Sequence, residues 1–449
     1  MYKRKINNNL VLWSEKDNRK PLILRGARQV GKTTVVRNFA KEFDNYIELN
    51  LDIEEDKDIF EKKKSFEELV SAIFFFKQKS QQKQKTLIFI DEVQNSPEAV
   101  KQLRYFYEER PDLYVIAAGS LLETLIDKTF SFPVGRVEYM YMYPFSFEEF
   151  LWANNESEYI KIFNQTPIPD YAQAVFKKLF SKYALIGGMP EIVSNYLKNK
   201  DVVLLSSIYQ SLITSYSDDV EKYTNSDKSA KIIRFLIEKS FYEGGKRIKF
   251  SNFGNSNYKA DDVKEAFLIL EKALILNIVY PTTKLAPPVE ANFRKSPKLI
   301  LLDTGLMNFF ADYQKELFNT SDISVAHNGL IAEHIVAQEL KAYKDNYLHK
   351  IHFWVREKKQ SNAEIDFIFQ YEDMLIPIEV KTGKTGRLRS LHQFIDNCPH
   401  KYAVRIYSGK YSIQKTQTIA GKEYFLLNLP FFLISKIKDY IKLMIDENS

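Results

Sequence analysis

The sequence predicts an α/β protein: a parallel sheet flanked by helices, then a helical stretch, a helix–turn–helix-like segment and a second, C-terminal α/β domain. Three observations predict it. A glycine-bearing loop at 26–34 sits between an apolar run and a helical pattern. Strand candidates at 21–25, 46–51, 86–91 and 113–118 alternate with amphipathic stretches, as parallel strands joined by crossover helices do. Near the C-terminus, two consecutive apolar strands carry Asp366, Glu379 and Lys381.

At 449 residues the chain exceeds one domain, and two to four are expected. A hydrophobic fraction of 45% with 14% aromatics supplies ample core. The formal charge of +6 permits nucleic-acid binding without establishing it. A single cysteine, Cys398, excludes a disulfide framework and a cysteine zinc site, and fits a reducing cytoplasm. The six histidines lack metal-ligand spacing. No apolar segment follows the basic start, so no signal peptide is expected. Tyr424–Leu433 is interrupted by Asn428 and Pro430 and is too short to span a bilayer. The expectation is a soluble, cytoplasmic protein with no membrane partner.

After a polar helix and turn at 1–20, the first strand runs into Gly26-Ala27-Arg28-Gln29-Val30-Gly31-Lys32-Thr33-Thr34. This is GxxxxGK[ST] in strand–loop–helix context, a P-loop. Gly26 and Gly31 let backbone N–H groups turn around phosphate oxygens. Lys32 reaches the β/γ-phosphates and Thr33 ligates Mg²⁺. The helix from Thr33 to about Phe43 points its positive end at the same anion. The run 86–91 then ends in Asp91-Glu92. Its length and apolarity suit a strand buried on both faces of a parallel sheet. Asp91 is expected to hold Mg²⁺ through water and Glu92 to polarise the attacking water, which argues for NTP hydrolysis, with ATP the expected nucleotide.

Helices are expected at Phe66–Lys79 and Pro97–Arg110. Strand 113–118 ends at Gly119-Ser120, where Ser120 is either a γ-phosphate or water contact or a helix N-cap. Arg136 follows; it either supplies positive charge to a γ-phosphate, in its own subunit or a neighbour's, or is a surface arginine. Residues 145–220 read as helices, punctuated by Gly187-Gly188-Met-Pro190-Glu191. Helices at Ser229–Tyr242 and Asp261–Ala273, a polar turn at Ser251–Asn257 and a strand at Leu274–Tyr280 fit a winged helix or a helical connector equally.

In the C-terminal constellation, Glu379 and Lys381 are two apart and share a strand face. Asp366 and Glu379 could hold Mg²⁺ or Mn²⁺, with Lys381 beside a phosphate and Glu333 contributed by the preceding helix. The alternative is a hairpin with a salt bridge on one face. The basic Lys384, Arg387 and Arg389 either contact phosphates or form a solvated loop.

These residues carry two resemblances. Arg25–Thr33, Asp91-Glu-Val-Gln, Ala118-Gly-Ser, Gly135-Arg136-Val-Glu, Pro144-Phe-Ser-Phe-Glu-Glu-Phe and Gly187-Gly-Met-Pro-Glu resemble a prokaryotic AAA-plus-type P-loop ATPase family that joins an ATPase to a C-terminal domain of unknown function. Residues 325–425 are similar to the PD-(D/E)xK nuclease fold, in the helix-Glu, Asp, E-V-K order of archaeal Holliday-junction resolvases, although Ile365 stands where the proline would be. The resemblance implies a P-loop ATPase core at 1–144, a helical lid at 145–224, a winged-helix-like domain at 225–323 and a nuclease-like domain at 324–449. The function read from these residues is that of an oligomeric, ATP-hydrolysing protein acting on duplex or branched DNA, with a metal-dependent nuclease-like domain that binds or cleaves it. A regulatory switch whose C-terminal domain only binds a partner is the alternative.

Overall fold

The computed structural model describes residues 2–62, 65–81, 84–120, 133, 135–155, 157–220, 224, 226–314, 329–343, 350–356, 363–381 and 388–448. Its contacts divide the chain into two compact units. Among the described residues, the first holds those within 2–143 together with 269–275, and the second those within 144–268 and 276–448.

The first unit is built on five strands: β1 (Leu22–Arg25), β2 (Asn45–Asn50), β3 (Thr86–Asp91), β4 (Tyr114–Gly119) and β5 (Glu138–Tyr141). Their order is β2-β3-β4-β1-β5 and every pairing is parallel. The four expected strands fall within one residue of their expected positions. All six residues of β3 are buried, as its unbroken apolarity demanded. Ile23, Ile47, Leu49, Ile88, Ile90 and Val115 share one core with helices 54–61, 66–76 and 97–109. The alternate residues Leu22, Leu24, Leu87, Phe89 and Ile116 are buried too, on the other face. There Trp13, from the helix Ile6–Ser14, lies edge-on to Tyr114 at 6.2 Å between ring centroids. Local signals place the helices. Ser65 and Glu68 form a capping box, and Ser96 caps a helix that opens on Pro97.

The second unit opens with helices 147–153, 157–163, 173–186, 190–199 and 206–218. Gly187 ends one of them at φ 77°, and Pro190 starts the next. A Cβ on Gly188 would stand 2.2 Å from the Phe145 carbonyl oxygen, so glycine is what lets these segments meet. Helices 227–243 and 260–272 lead to β6 (Leu276–Val279), shorter than expected because Leu274 turns left-handed at φ 60°. After β7 (Pro281–Thr282), β8 (Lys298–Leu301) pairs antiparallel with β6 as a two-stranded ribbon.

The rest of this unit is a seven-stranded sheet. It comprises β7 with β9 (His352–Val355), β10 (Glu364–Tyr371), β11 (Met374–Val380), β12 (Tyr402–Tyr407), β13 (Ser412–Gln417) and β14 (Glu423–Pro430). The order is β13-β14-β12-β11-β10-β9-β7. Helix 389–397 covers one face through Leu391, Phe394 and Ile395 against Trp354, Ile365 and Leu375. Helix 330–342 packs against β8 and β11. No helix among the described residues is long and apolar enough to cross a membrane.

Candidate functional site

β1 runs directly into the loop at Gly26, and helix Lys32–Phe39 starts as the loop ends. Gly31 caps that helix at φ 97°, a conformation glycine adopts without strain. No side chain caps it, so its first-turn N–H groups remain donors for an anion. Lys32 Nζ donates to the carbonyl oxygens of Gly26 and Ala27, each at 3.0 Å. Burial lowers the pKa of its ammonium, against the opposing pull of Glu92 and Asp91. Thr33 Oγ1 donates to Asp91 Oδ2 at 2.6 Å, joining the helix start to the end of β3. These two hard oxygens fit Mg²⁺, which takes few protein ligands and completes its shell with phosphate and water.

Glu92 sits in left-handed backbone at φ 52°, a strained position for a side chain of its size. Its Oε2 accepts a 2.5 Å bond from Gln94 Nε2. Gln94 in turn packs on Gly119, where a Cβ would stand 2.3 Å from its Oε1. Ser120 follows Gly119 at the tip of β4, one strand from Asp91. The structure thus gathers Lys32, Thr33, Asp91, Glu92 and Ser120 at the C-terminal ends of β1, β3 and β4. Gln94 was absent from the sequence reading, although Asp-Glu-Val-Gln contains it.

Arg4 was also missed. It is buried beneath the loop, with Nη1 donating to the Val30 carbonyl at 3.0 Å and Nη2 to the Tyr143 carbonyl at 2.6 Å. Because a trans peptide aims its C=O and N–H in opposite directions, a held Val30 carbonyl turns the Gly31 N–H away from Arg4. Basic Lys3-Arg4-Lys5 gave no sign of this, since one guanidinium is buried and the pattern does not say which.

Arg136 lies elsewhere. Glu138 pairs with Leu22, so Arg136 stands at the N-terminal edge of the sheet, beyond strands of roughly 13 Å. It is ion-paired there with Glu108, which also binds Arg104. A γ-phosphate role within its own subunit is therefore corrected: the parallel register puts Arg136 at the opposite end of β1 from the loop.

The second unit assembles the C-terminal constellation. Lys381 Nζ meets Glu379 Oε1 at 2.5 Å, and Asp366 Oδ2 accepts the Val380 N–H at 2.8 Å. A break in the β9–β10 register between Ile365 and Ile368 brackets Asp366, the kind of bulge that re-aims a side chain. Glu333 joins from helix 330–342. Burial raises the pKa of Glu333, Asp366 and Glu379; mutual repulsion with Asp366 adds to it for both glutamates. At the centre stands a residue that the sequence did not offer. Lys298 Nζ lies 3.1 Å from Glu333, 2.9 Å from Glu364 and 3.7 Å from Asp366. Burial lowers the pKa of Lys298, but the three carboxylates outweigh it and the net shift is upward. Arg247 adds a second cation on Glu364 at 3.2 Å.

This donor set does not fit the expected Mg²⁺ or Mn²⁺ at Asp366 and Glu379. The cationic place is filled by ammonium, and among the described residues no group of three or more His, Cys, Asp or Glu is arranged to hold a metal. Arg389 opens helix 389–397, while Lys384 and Arg387 lie outside the described residues.

Residues 18–151 match the family described as an AAA domain. The N-terminal unit is a P-loop ATPase domain of the AAA type. Residues 177–317 and 328–429 match two domains of unknown function, DUF8612 and DUF4143. No curated protein matches the chain. Similar solved structures include a Walker-type ATPase of Pyrococcus abyssi, at 15% identity and TM-score 0.44, covering 69% of this chain and 96% of that one. Thermotoga maritima RuvB is similar at 15% identity and TM-score 0.31, covering 62% and 90%. Aeropyrum pernix ORC1, in complex with DNA, is similar at 13% identity and TM-score 0.28, covering 69% and 91%. The ATPase domain's assignment rests on its family match and on its own loop and sheet.

Proposed function

We propose that the chain hydrolyses ATP at this loop and uses the cycle to act on DNA. The observation that carries the ATPase half is the continuous chain from Thr33 through Asp91 and Glu92 to Gln94. Backbone N–H groups of 26–34 and Lys32 bind the phosphates. Lys32 exchanges neutral carbonyl partners for phosphate oxygens, a gain because the anion adds charge–charge attraction to the hydrogen bond. Thr33 and Asp91 would hold Mg²⁺, which supplies charge neutralisation at the phosphates. Glu92, oriented by Gln94, takes the proton of the attacking water, and Ser120 contacts that water or the γ-phosphate. Arg136 lies at the far edge of its own sheet, paired with Glu108, and we assign it to a neighbouring subunit's nucleotide in a homo-oligomer.

The DNA half rests on the net charge of +6, the basic stretch Lys384–Arg389 and the resemblance of the sequence at 325–425 to nuclease folds. In this reading residues 145–224 are a lid, 225–323 a winged-helix-like module whose wing is the β6–β8 ribbon, and 324–449 a nuclease-like domain that grips duplex or branched DNA. A second reading is favoured by Lys298: an ATP-dependent switch whose C-terminal domain binds a partner and cuts nothing.

One experiment separates them. ATP turnover is measured alone and with linear, forked and four-way DNA. Acceleration by DNA supports the first reading; slow turnover indifferent to all three supports the second. Turnover unchanged by Lys32→Ala would remove both.

A further inference from the structure

We propose that Lys298 closes the acidic cluster of the second unit, its ammonium holding the place between Glu333, Glu364 and Asp366 that a divalent cation would take. Lys298 is 3% exposed and comes from the β6–β8 ribbon, outside the C-terminal sheet whose acids it binds. Its three partners come from helix 330–342 and β10, so one ammonium ties three elements.

Further oxygens of the cluster are also committed. Asp366 Oδ2 takes the Val380 N–H, Glu379 Oε1 takes Lys381, and Glu364 takes Arg247. A divalent ion arriving here would meet three cations among four carboxylates. It would have to displace the lysine, and with it the ribbon. The ribbon is fastened against that move. Leu301 N donates to His334 Nε2 at 2.9 Å, Thr304 N donates to Gln338 Oε1 at 2.7 Å, and β7 adds to the sheet beside β9. The cluster is therefore a joint that a cation enters only when β8 withdraws. Glu379 Oε2, buried without a hydrogen-bond partner, is the atom such an ion would find open.

The test titrates Mn²⁺ into the full chain without nucleotide and follows free Mn²⁺ by electron paramagnetic resonance. The parent and Asp366→Asn should bind Mn²⁺ alike. Lys298→Gln should gain one site at least tenfold tighter than any in the parent, and Lys298→Gln with Asp366→Asn should lose it. Circular dichroism checks that each variant is folded. Mn²⁺ binding by the parent that Asp366→Asn abolishes would overturn the proposal, as would a folded Lys298→Gln no tighter than the parent. Should Lys298→Gln fail to fold, the parent and Asp366→Asn decide between them: Asp366-dependent binding overturns closure, and its absence upholds it. ATP turnover is not the readout, so this fails independently of the ATPase reading.

Discussion

Two lysines sit at the two clusters of carboxylates, and their partners set them apart. Lys32 is held by two backbone carbonyls, with Asp91 and Glu92 close by. Lys298 is held by three carboxylates. Both are buried, yet burial wins at Lys32 and lowers its pKa, while the carboxylates win at Lys298 and raise it. A lysine on neutral oxygens is free to take an anion. A lysine on charged oxygens is already satisfied, and removing it leaves buried charges unpaired. The first arrangement suits an anion that takes the carbonyls' place; the second ties its elements together.

The comparison breaks first at Glu92. Glu92→Gln should lower ATP turnover by about 10²–10⁴-fold, the worth of a general base, while nucleotide affinity holds. Steady-state turnover beside fluorescent-nucleotide binding measures both, and normal turnover would put the base elsewhere.

Lys32→Ala comes next. Losing a donor aimed at transferring charge costs about 10²–10³-fold, and here it should also weaken nucleotide binding. Retained binding with retained turnover would end the contrast with Lys298.

Asp303 sharpens the contrast as a buried carboxylate held by N–H groups, from Gly188 at 2.6 Å and Leu306 at 3.1 Å. Burial raises its pKa to about 6. The folded value lies above the ordinary one, so its stabilising effect is full below about pH 4 and is lost as pH rises through about 6. The span corresponds to roughly 3 kcal/mol. Asp303→Asn should flatten the pH dependence of urea unfolding between pH 4 and 7; an unchanged slope would place the titration on another group.

The smallest effect is expected at Arg4. Arg4→Met frees the Val30 carbonyl and should weaken nucleotide affinity about tenfold, near one charge-assisted hydrogen bond. Turnover at saturating ATP should hold, and Arg4→Lys should restore part of the affinity. A lower melting temperature in both variants, with no change in affinity, would make Arg4 structural only.

The sequence by itself determined what local chemistry dictates. The strands β1, β3 and β4 and the loop between Gly26 and Thr34 were legible because a strand buried on both faces is mostly apolar and a phosphate loop needs glycines at fixed spacing, while β2 shows as alternation of apolar and polar residues. Thr33, Asp91 and Glu92 were legible because they sit at the ends of those elements. Glu333, Asp366, Glu379 and Lys381 could be read as a set because strand alternation puts two of them on one face. Tertiary structure alone decided what lies between such groups. Lys298 is one lysine heading an apolar strand, and Arg4 one arginine in a basic triplet; nothing local separates them from solvated neighbours. Arg136 looked near the nucleotide in the chain, but the register of β5 against β1 carries it to the far edge of the sheet. Electrostatic partners are fixed by distance in space, and between strands of a crossover fold that distance is set by packing, which no spacing in the chain records.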